Sequence, residues 1–416
     1  MKVSNQLFLT SNKNMVIEDS EFSQTSSRGQ PNIFLVSHSS GLIFRNNIIA
    51  SKDGSAEFAH VSDSVIENNH FIRDVADQAH QEAIAHRLVI AFAHRTSIFN
   101  NRFDVVNGPV TATNRNDGET ILAEASAGNN TENLGTATGA TATTLTDSGN
   151  TINVLPFSAT EIVENYGVSI VEGKGMGQSR RVIQYSGKTL TIDRAWDVVP
   201  DATSKYVTFV WGLERVLIKG NQLFNNPRGI WLYQTALRDV EVIGNSMMNG
   251  GGIYLRSWLK AADKQFDIIR NVRISGNSVT NNDGLWASHV SVHFITADTQ
   301  FFGTAILGVE VRDNTLQANR PNVSLNSNEE YAGTEGFLNM MRIERNGGVM
   351  SSFPLVLGSI FQSNQCADCE HAFKLGTGAD GTSLIDNSPH SSASNFLQDS
   401  ETLYGSSGGA TRTVVE

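Results

Sequence analysis

The chain has 416 residues with 36 glycines, 8 prolines, 2 cysteines and a formal net charge of −11. That length exceeds one ordinary core and suits a stack of repeats, while the acidity and the lack of any Lys/Arg-rich run argue against nucleic acid or an anionic membrane surface as a partner. No apolar run approaches the ~20 residues of a membrane span, and MKVSNQLFLTSNKN lacks the apolar stretch of a signal peptide.

From the N-terminus onward one short unit recurs, an alternating apolar run closed by an Asn or Asp corner. It appears as VIEDSEF over Val16 to Phe22, then at Asn47, Asn69 and Asn101. After a gap it returns at Asn221, Asn245, Asn277, Asn314, Asn364 and Asn387. The shortest spacings are 22 to 24 residues, and the longer ones read as that period plus an inserted loop. The clearest pair is ERVLIKGNQLFNNPRGIWLY followed by RDVEVIGNSMMNGGGIYLRS, Glu214 to Ser257. A period in this range means one supersecondary unit per repeat. With period-2 alternation, Asn/Gly corners and no helical stripe, each unit is one coil of a right-handed parallel β-helix. A corner Asn tolerates left-handed backbone, and its amide can donate and accept along the stack. Ten units at ~4.8 Å make a rod of roughly 45 Å.

With these corners in view, residues 1–126 and 207–400 resemble the pectate-lyase-like superfamily of right-handed β-helices. That superfamily includes polysaccharide lyases, glycoside hydrolases, sugar epimerases and phage tailspikes. The resemblance implies an all-β rod and a carbohydrate ligand, without the catalytic signature of one particular family. An extracellular or virion-associated location and a homotrimer follow as expectations from the tailspike likeness.

The units at Asn101 and Asn221 are 120 residues apart, too far for one coil. Between them, TATGATATTLTDSGNTI and YGVSIVEGKGMGQSRRVIQYSGKTLTIDRAWDVVPDATSKY predict a small inserted β-barrel or sandwich over 127–206, resembling a module of phage tail and tailspike-like proteins. Its Gly173-Lys174-Gly175-Met176-Gly177 is a hairpin turn rather than a phosphate loop, since no Gly-Lys-Ser/Thr follows. Residues 401–416 form a C-terminal tail.

Register then suggests a site. Ile230, Leu232, Ile253 and Leu255 should point inward, leaving Trp231, Tyr233, Tyr254 and Arg256 facing out, Trp231 beside Tyr254 and Tyr233 beside Arg256. Exposed aromatics beside an Arg suit a sugar, whose ring faces pack on π surfaces while guanidinium forks to hydroxyls or carboxylate. Arg228 and His289 join this expected binding strip. The alternative is that the inserted domain or a subunit partner covers the strip as dry packing. The segment NRNDGETILAEA should lie one coil below, its ETIL in the place of GIWLY, bringing Asp117, Glu119 and Glu124 as candidate catalytic carboxyls. His293, four residues after His289, should share the outward face and could serve as a base with Trp286 and Asp298.

Weaker signals are His80, Glu82, His86 and Arg87 in a surface loop, and the Glu329–Glu344 excursion as a groove edge. Cys366 and Cys369 make half a zinc pattern without its other ligands. No cofactor or metal is expected. The expectation is therefore a glycosidic-bond-cleaving enzyme acting on a polysaccharide, with hydrolysis favoured. A uronate lyase or a non-catalytic glycan-binding tail or adhesin module stand as alternatives.

Overall fold

The computed structural model describes residues 2–3, 6–24, 32–51, 54–74, 87–106, 119–125, 132–150, 166–225, 228–249, 251–260, 265–282, 289–295, 303–318, 339–346, 356–367, 371–375, 379–390 and 414–415. Each coil contributes one strand to an eleven-stranded parallel sheet, running from Lys2–Val3 to Ser388–His390. Its inner column stacks Phe22, Ile49, Phe71, Phe103, Leu223, Met247, Val279, Leu316 and Cys366 in register. A second inner column runs Ile17, Phe44, Ile66, Ile98, Ile218, Val242, Ile274, Val311, Phe361 and Leu384. All of these side chains are buried in one continuous core. The parallel β-helix expected from the repeat is thus present coil by coil, and the described residues contain no helix.

The corner asparagines form a continuous amide ladder. Asn47 Nδ2 donates to Asn69 Oδ1 at 3.0 Å, and the same bond recurs at 2.8–3.0 Å through Asn101, Asn221, Asn245, Asn277, Asn314, Asn364 and Asn387. Each Oδ1 also accepts the backbone N–H of the ladder residue before it, as in Asn101 N to Asn221 Oδ1 at 3.0 Å. Each Nδ2 donates in addition to a carbonyl of the preceding coil, as in Asn221 to Ile98 O at 3.0 Å. At the N-terminal end Ser20 N donates to Asn47 Oδ1.

One detail corrects the sequence reading: the left-handed residue is not the ladder asparagine. It is the residue before it, with positive φ at Asn46, Asn68, Asn100, Gly220, Gly244, Gly276, Asp313, Ser363 and Asp386. Two adjacent positions divide the work. The first takes the turn, which Gly, Asn and Asp tolerate, and the second supplies the amide.

The inserted segment is antiparallel. Tyr166–Glu172 pairs with Ser179–Ser186 and with the first residues of Lys205–Lys219, which also pair with Asn133–Thr136. Thr144–Thr146 pairs with Gly139–Thr141 and Thr189–Ile192. Among the described residues these pairings give two small antiparallel sheets that share Ser179–Ser186, without a closed barrel order. They enclose a core of their own around Leu145, Tyr166, Val168, Ile170, Val182, Leu190, Trp196 and Tyr206. No linker separates this unit from the rod on its C-terminal side. Lys205–Lys219 is one strand that pairs antiparallel with the insert and, from Trp211 on, parallel with the next coil.

Glu214, buried on that strand, pins the junction. It receives hydrogen bonds from His94 Nδ1 and from Arg181 Nη2 of the insert, both at 3.1 Å, and from Arg238. Burial alone would raise its carboxyl, but the His94 and Arg238 hydrogen bonds and the Arg238 charge outweigh it and hold Glu214 well below the usual range.

Candidate active site

The strands Ile121–Ala125, Ile230–Ile243, Ile253–Lys260, Val290–Ile295 and Asn339–Asn346 pair in register across successive coils. One column runs Leu122, Trp231, Tyr254, Ser291, Arg342, and the next runs Tyr233, Arg256, His293, Glu344. The predicted neighbours meet. The Trp231 and Tyr254 rings lie 4.4 Å apart at 31°, and the Arg256 guanidinium sits 4.5 Å over the Tyr233 ring. Arg228 lies 4.9 Å over Trp231. Ile230, Leu232, Ile253, Leu255, Val290 and Val292 point into the core as the alternation requires.

Exposure is where the expectation fails. Trp231, Tyr254 and Arg256 are 0 % exposed and Tyr233 is 9 %. The strip is a covered aromatic–cation stack, not an open floor for a sugar. Period-2 alternation decides which side of a sheet a residue faces; it carries no information about what lies over that side.

The acidic segment lies one coil below, as expected, with its register one residue from the position anticipated: Ile121 pairs with Ile230, and Thr120 N donates to Arg228 O at 3.0 Å. This puts Glu119 beside Arg228. Glu119 is 0 % exposed, and its Oε1 accepts from Arg228 Nη1 at 2.7 Å and from the Tyr233 hydroxyl at 3.3 Å. Its place is that of a buried counter-ion, not of a carboxylate on an open groove.

Glu124, by contrast, is exposed. With its amide oriented to suit both neighbours, Gln234 donates to Glu124 Oε1 at 2.9 Å and accepts from Arg256 Nη2 at 2.6 Å. The chain's own residues thus link an exposed carboxylate to a buried guanidinium.

His293 pairs in register with Arg256, on the next coil. His289 is buried, and burial depresses its imidazole to about 3, so it is neutral at physiological pH and unsuited to supply positive charge. Asp117, Trp286, Asp298, His80, Glu82, His86, Glu329, Glu330, Glu335 and Cys369 lie outside the described residues. Arg87 is buried and donates to Gly54 O at 3.4 Å, so it is not a loop residue reaching a groove rim. Cys366 is a buried, disulfide-bonded member of the inner column.

Two carboxyls that the sequence reading passed over complete the neighbourhood. Asp267 is buried after the Arg256-bearing strand, where its carbonyl accepts from the Ser257 hydroxyl. Burial pushes its carboxyl well above the ordinary range, Arg256 pulls it down and Glu124 pushes it up again, leaving it high. Glu132, also buried, accepts from Val210 N at 3.3 Å and from Phe266 N. Burial, then the Asp267 charge, raise it as well. Nothing in the repeat pointed to them, because they are 135 residues apart and belong to connections rather than coils. The available signal was an acid inside an apolar run: Asp267 sits between Phe266 and Ile268, both buried.

Around Arg256 the chain therefore holds one exposed carboxyl, Glu124, and one buried carboxyl, Asp267, that burial raises. One exposed and one buried carboxyl, held in different surroundings, are what acid–base chemistry uses.

No protein-family profile matches the chain, and no curated protein matches it. Among solved structures it is similar to an endo-xylogalacturonan hydrolase from Aspergillus tubingensis, at 10% identity and a TM-score of 0.45, over 94% of this chain and 82% of that one. It is also similar to the catalytic domain of a GH87 alpha-1,3-glucanase in complex with nigerose, at 10% identity and a TM-score of 0.44, over 100% of this chain and 61% of that one. A third is the Dettilon tailspike protein, at 11% identity and a TM-score of 0.43, over 94% and 60%. The chain spans about three fifths of the length of the last two. Likeness of this degree assigns no substrate and transfers no residue role.

Proposed function

We propose that the chain is an extracellular or virion-associated carbohydrate-active enzyme that hydrolyses glycosidic bonds of a polysaccharide. Glu124 is the base or nucleophile and Asp267 the proton donor. The observation that supports this reading is their pairing around Arg256: Glu124 is exposed and tied to Arg256 through Gln234, while Asp267 is buried and its carboxyl is raised by that burial against the pull of the same guanidinium. Glycoside hydrolysis needs one carboxyl to protonate the leaving oxygen and another to act as base or nucleophile. Glu119 and Arg228 hold Tyr233 beneath Arg256 and so position the pair. His293, next to Arg256 on the following coil, is the residue on which a lyase would rely.

The test is incubation with a panel of polysaccharides, following new reducing ends and the ultraviolet absorbance of an unsaturated uronate. Reducing ends without the chromophore are expected. Both together would transfer the site to a lyase, and binding without either would make it a glycan-binding module. Glu124→Gln should lower kcat by about 10²–10⁴-fold, the range of positioned acid–base groups. Asp267→Asn keeps the shape of a neutral carboxyl and should fold. Full turnover in that variant would remove Asp267 as the acid.

A further inference from the structure

A second polar site lies where the inserted segment meets the rod. A cleft of about 510 Å³ opens between the turn around Met176–Arg180 with Arg194 on one side and Arg215, Arg238 and Arg270 of three successive coils on the other. Gly177, at φ +94°, brings the turn close to the coil: a Cβ there would stand 3.1 Å from Leu307 Cδ2. Five arginines line this cleft against two acids, Asp197 and Asp239, in a chain whose net charge is −11.

Following each charge to its partner shows the surplus. Arg180 is neutralised by Asp197 at 2.9 Å and Arg238 by Glu214. Asp239 accepts from Asn271 at 2.6 Å. Arg270 is buried, yet its guanidinium meets only neutral oxygens: Ile269 O at 3.0 Å, Ala305 O at 2.6 Å, Thr304 O at 2.9 Å and the Ser169 hydroxyl at 3.2 Å. Its Nε has no hydrogen-bond partner. Burial without a compensating carboxylate lowers it to about 9. Arg194 and Arg215 are exposed and form no ion pair among the described residues. Arg215 and Asp239 occupy equivalent left-handed positions on adjacent coils, φ 55° and 53°, and still do not pair.

A buried cation lacking its counter-ion is costly, and an anion entering beside it removes that cost. Guanidinium forks match carboxylates in geometry as well as charge. Met176 and Leu307 add an apolar wall. Arg215 and Arg270, which lack a carboxylate partner among the described residues, lie two coils apart, ~10 Å, which suits a chain carrying repeated acids. The global acidity opposes a nucleic acid, whose binding needs a broad basic footprint.

We propose that this cleft is a binding subsite for a uronate-bearing segment of a polysaccharide, separate from the Glu124–Asp267 pair. The saccharide assignment rests on the carbohydrate-active reading above; the requirement for an anion does not.

The test is calorimetric titration of the full chain with galacturonate, mannuronate and guluronate trisaccharides, with xylotriose, sodium sulfate and a short single-stranded DNA as controls. At least one uronate trisaccharide is expected to bind, more weakly as salt is raised. Arg194→Ala and Arg215→Ala, both at exposed side chains, should each weaken it about tenfold, the worth of one charge-assisted contact. Glu124→Gln should bind the trisaccharide unchanged, which separates this site from the hydrolytic one. The proposal is overturned if no uronate binds, if both arginine variants bind as well as the parent, or if xylotriose, sulfate or DNA binds equally.

Discussion

The amide ladder and the aromatic strip are built from the same coils and meet opposite fates. Every ladder asparagine finds its partner one coil away at the equivalent position, as Asn221 finds Asn101 and Asn245. The strip residues also find each other one coil away, Trp231 with Tyr254 and Tyr233 with Arg256, but their alternation called for exposure and they are buried. The partners of the acid network come from connections: Asp267 follows the strand of Arg256, and Glu132 lies at the start of the inserted segment. A repeat supplies its own environment on its inner side. On its outer side it supplies only alignment.

Substitutions on each side sharpen this contrast. The largest expected stability effect is in the strip: Glu119→Ala strands the Arg228 cation and should cost about 3–5 kcal/mol, the scale for breaking a buried pair, read as a drop in Tm. Asn221→Ala comes next. It removes an acceptor for Asn101 and donors to Ile98 O and Asn245, and should cost about 3 kcal/mol because buried groups lose their partners. If Asn221→Ala were neutral, the ladder would be a consequence of stacking and not a cause of it.

The pH response tests the acids. Asp267 and Glu132 are raised in the folded protein, so the native state holds protons that the unfolded chain releases. Stability therefore falls as pH rises above the ordinary carboxylate range toward their folded values, at about 1.4 kcal/mol per pH unit for each group. Asp267→Asn should flatten that fall above the ordinary carboxylate range. An identical profile in parent and variant would mean that Asp267 is ionised. Glu214 has the opposite sign: its depressed carboxyl stabilises above the ordinary range, and that contribution is lost as pH falls through the folded value. The smallest effect should come from Arg273→Ala, which breaks half-exposed pairs to Glu310 and Glu241 worth no more than about 0.5 kcal/mol.

Much of this was legible beforehand. The inner columns, the ladder, the inward and outward sense of Ile230 to Arg256, and the contacts between Trp231 and Tyr254 and between Tyr233 and Arg256 all follow from period and alternation. The ladder's division of labour was not, because a Gly-Asn or Asn-Asn pair does not say which member takes the left-handed turn. Asp267 and Glu132 were missed because acids in connections obey no period. The arginine cleft was missed because Arg194 and Arg270 come together only when the insert folds back on the rod.

The sequence by itself determined the rod, since a two-residue alternation repeated every coil leaves a parallel β-helix as the way to bury one face of every strand while satisfying each corner amide. Only the tertiary structure decided which outward residues are accessible and which charges face one another. Burial and ion pairing on the outer side depend on segments distant in the chain, and local spacing does not encode their approach.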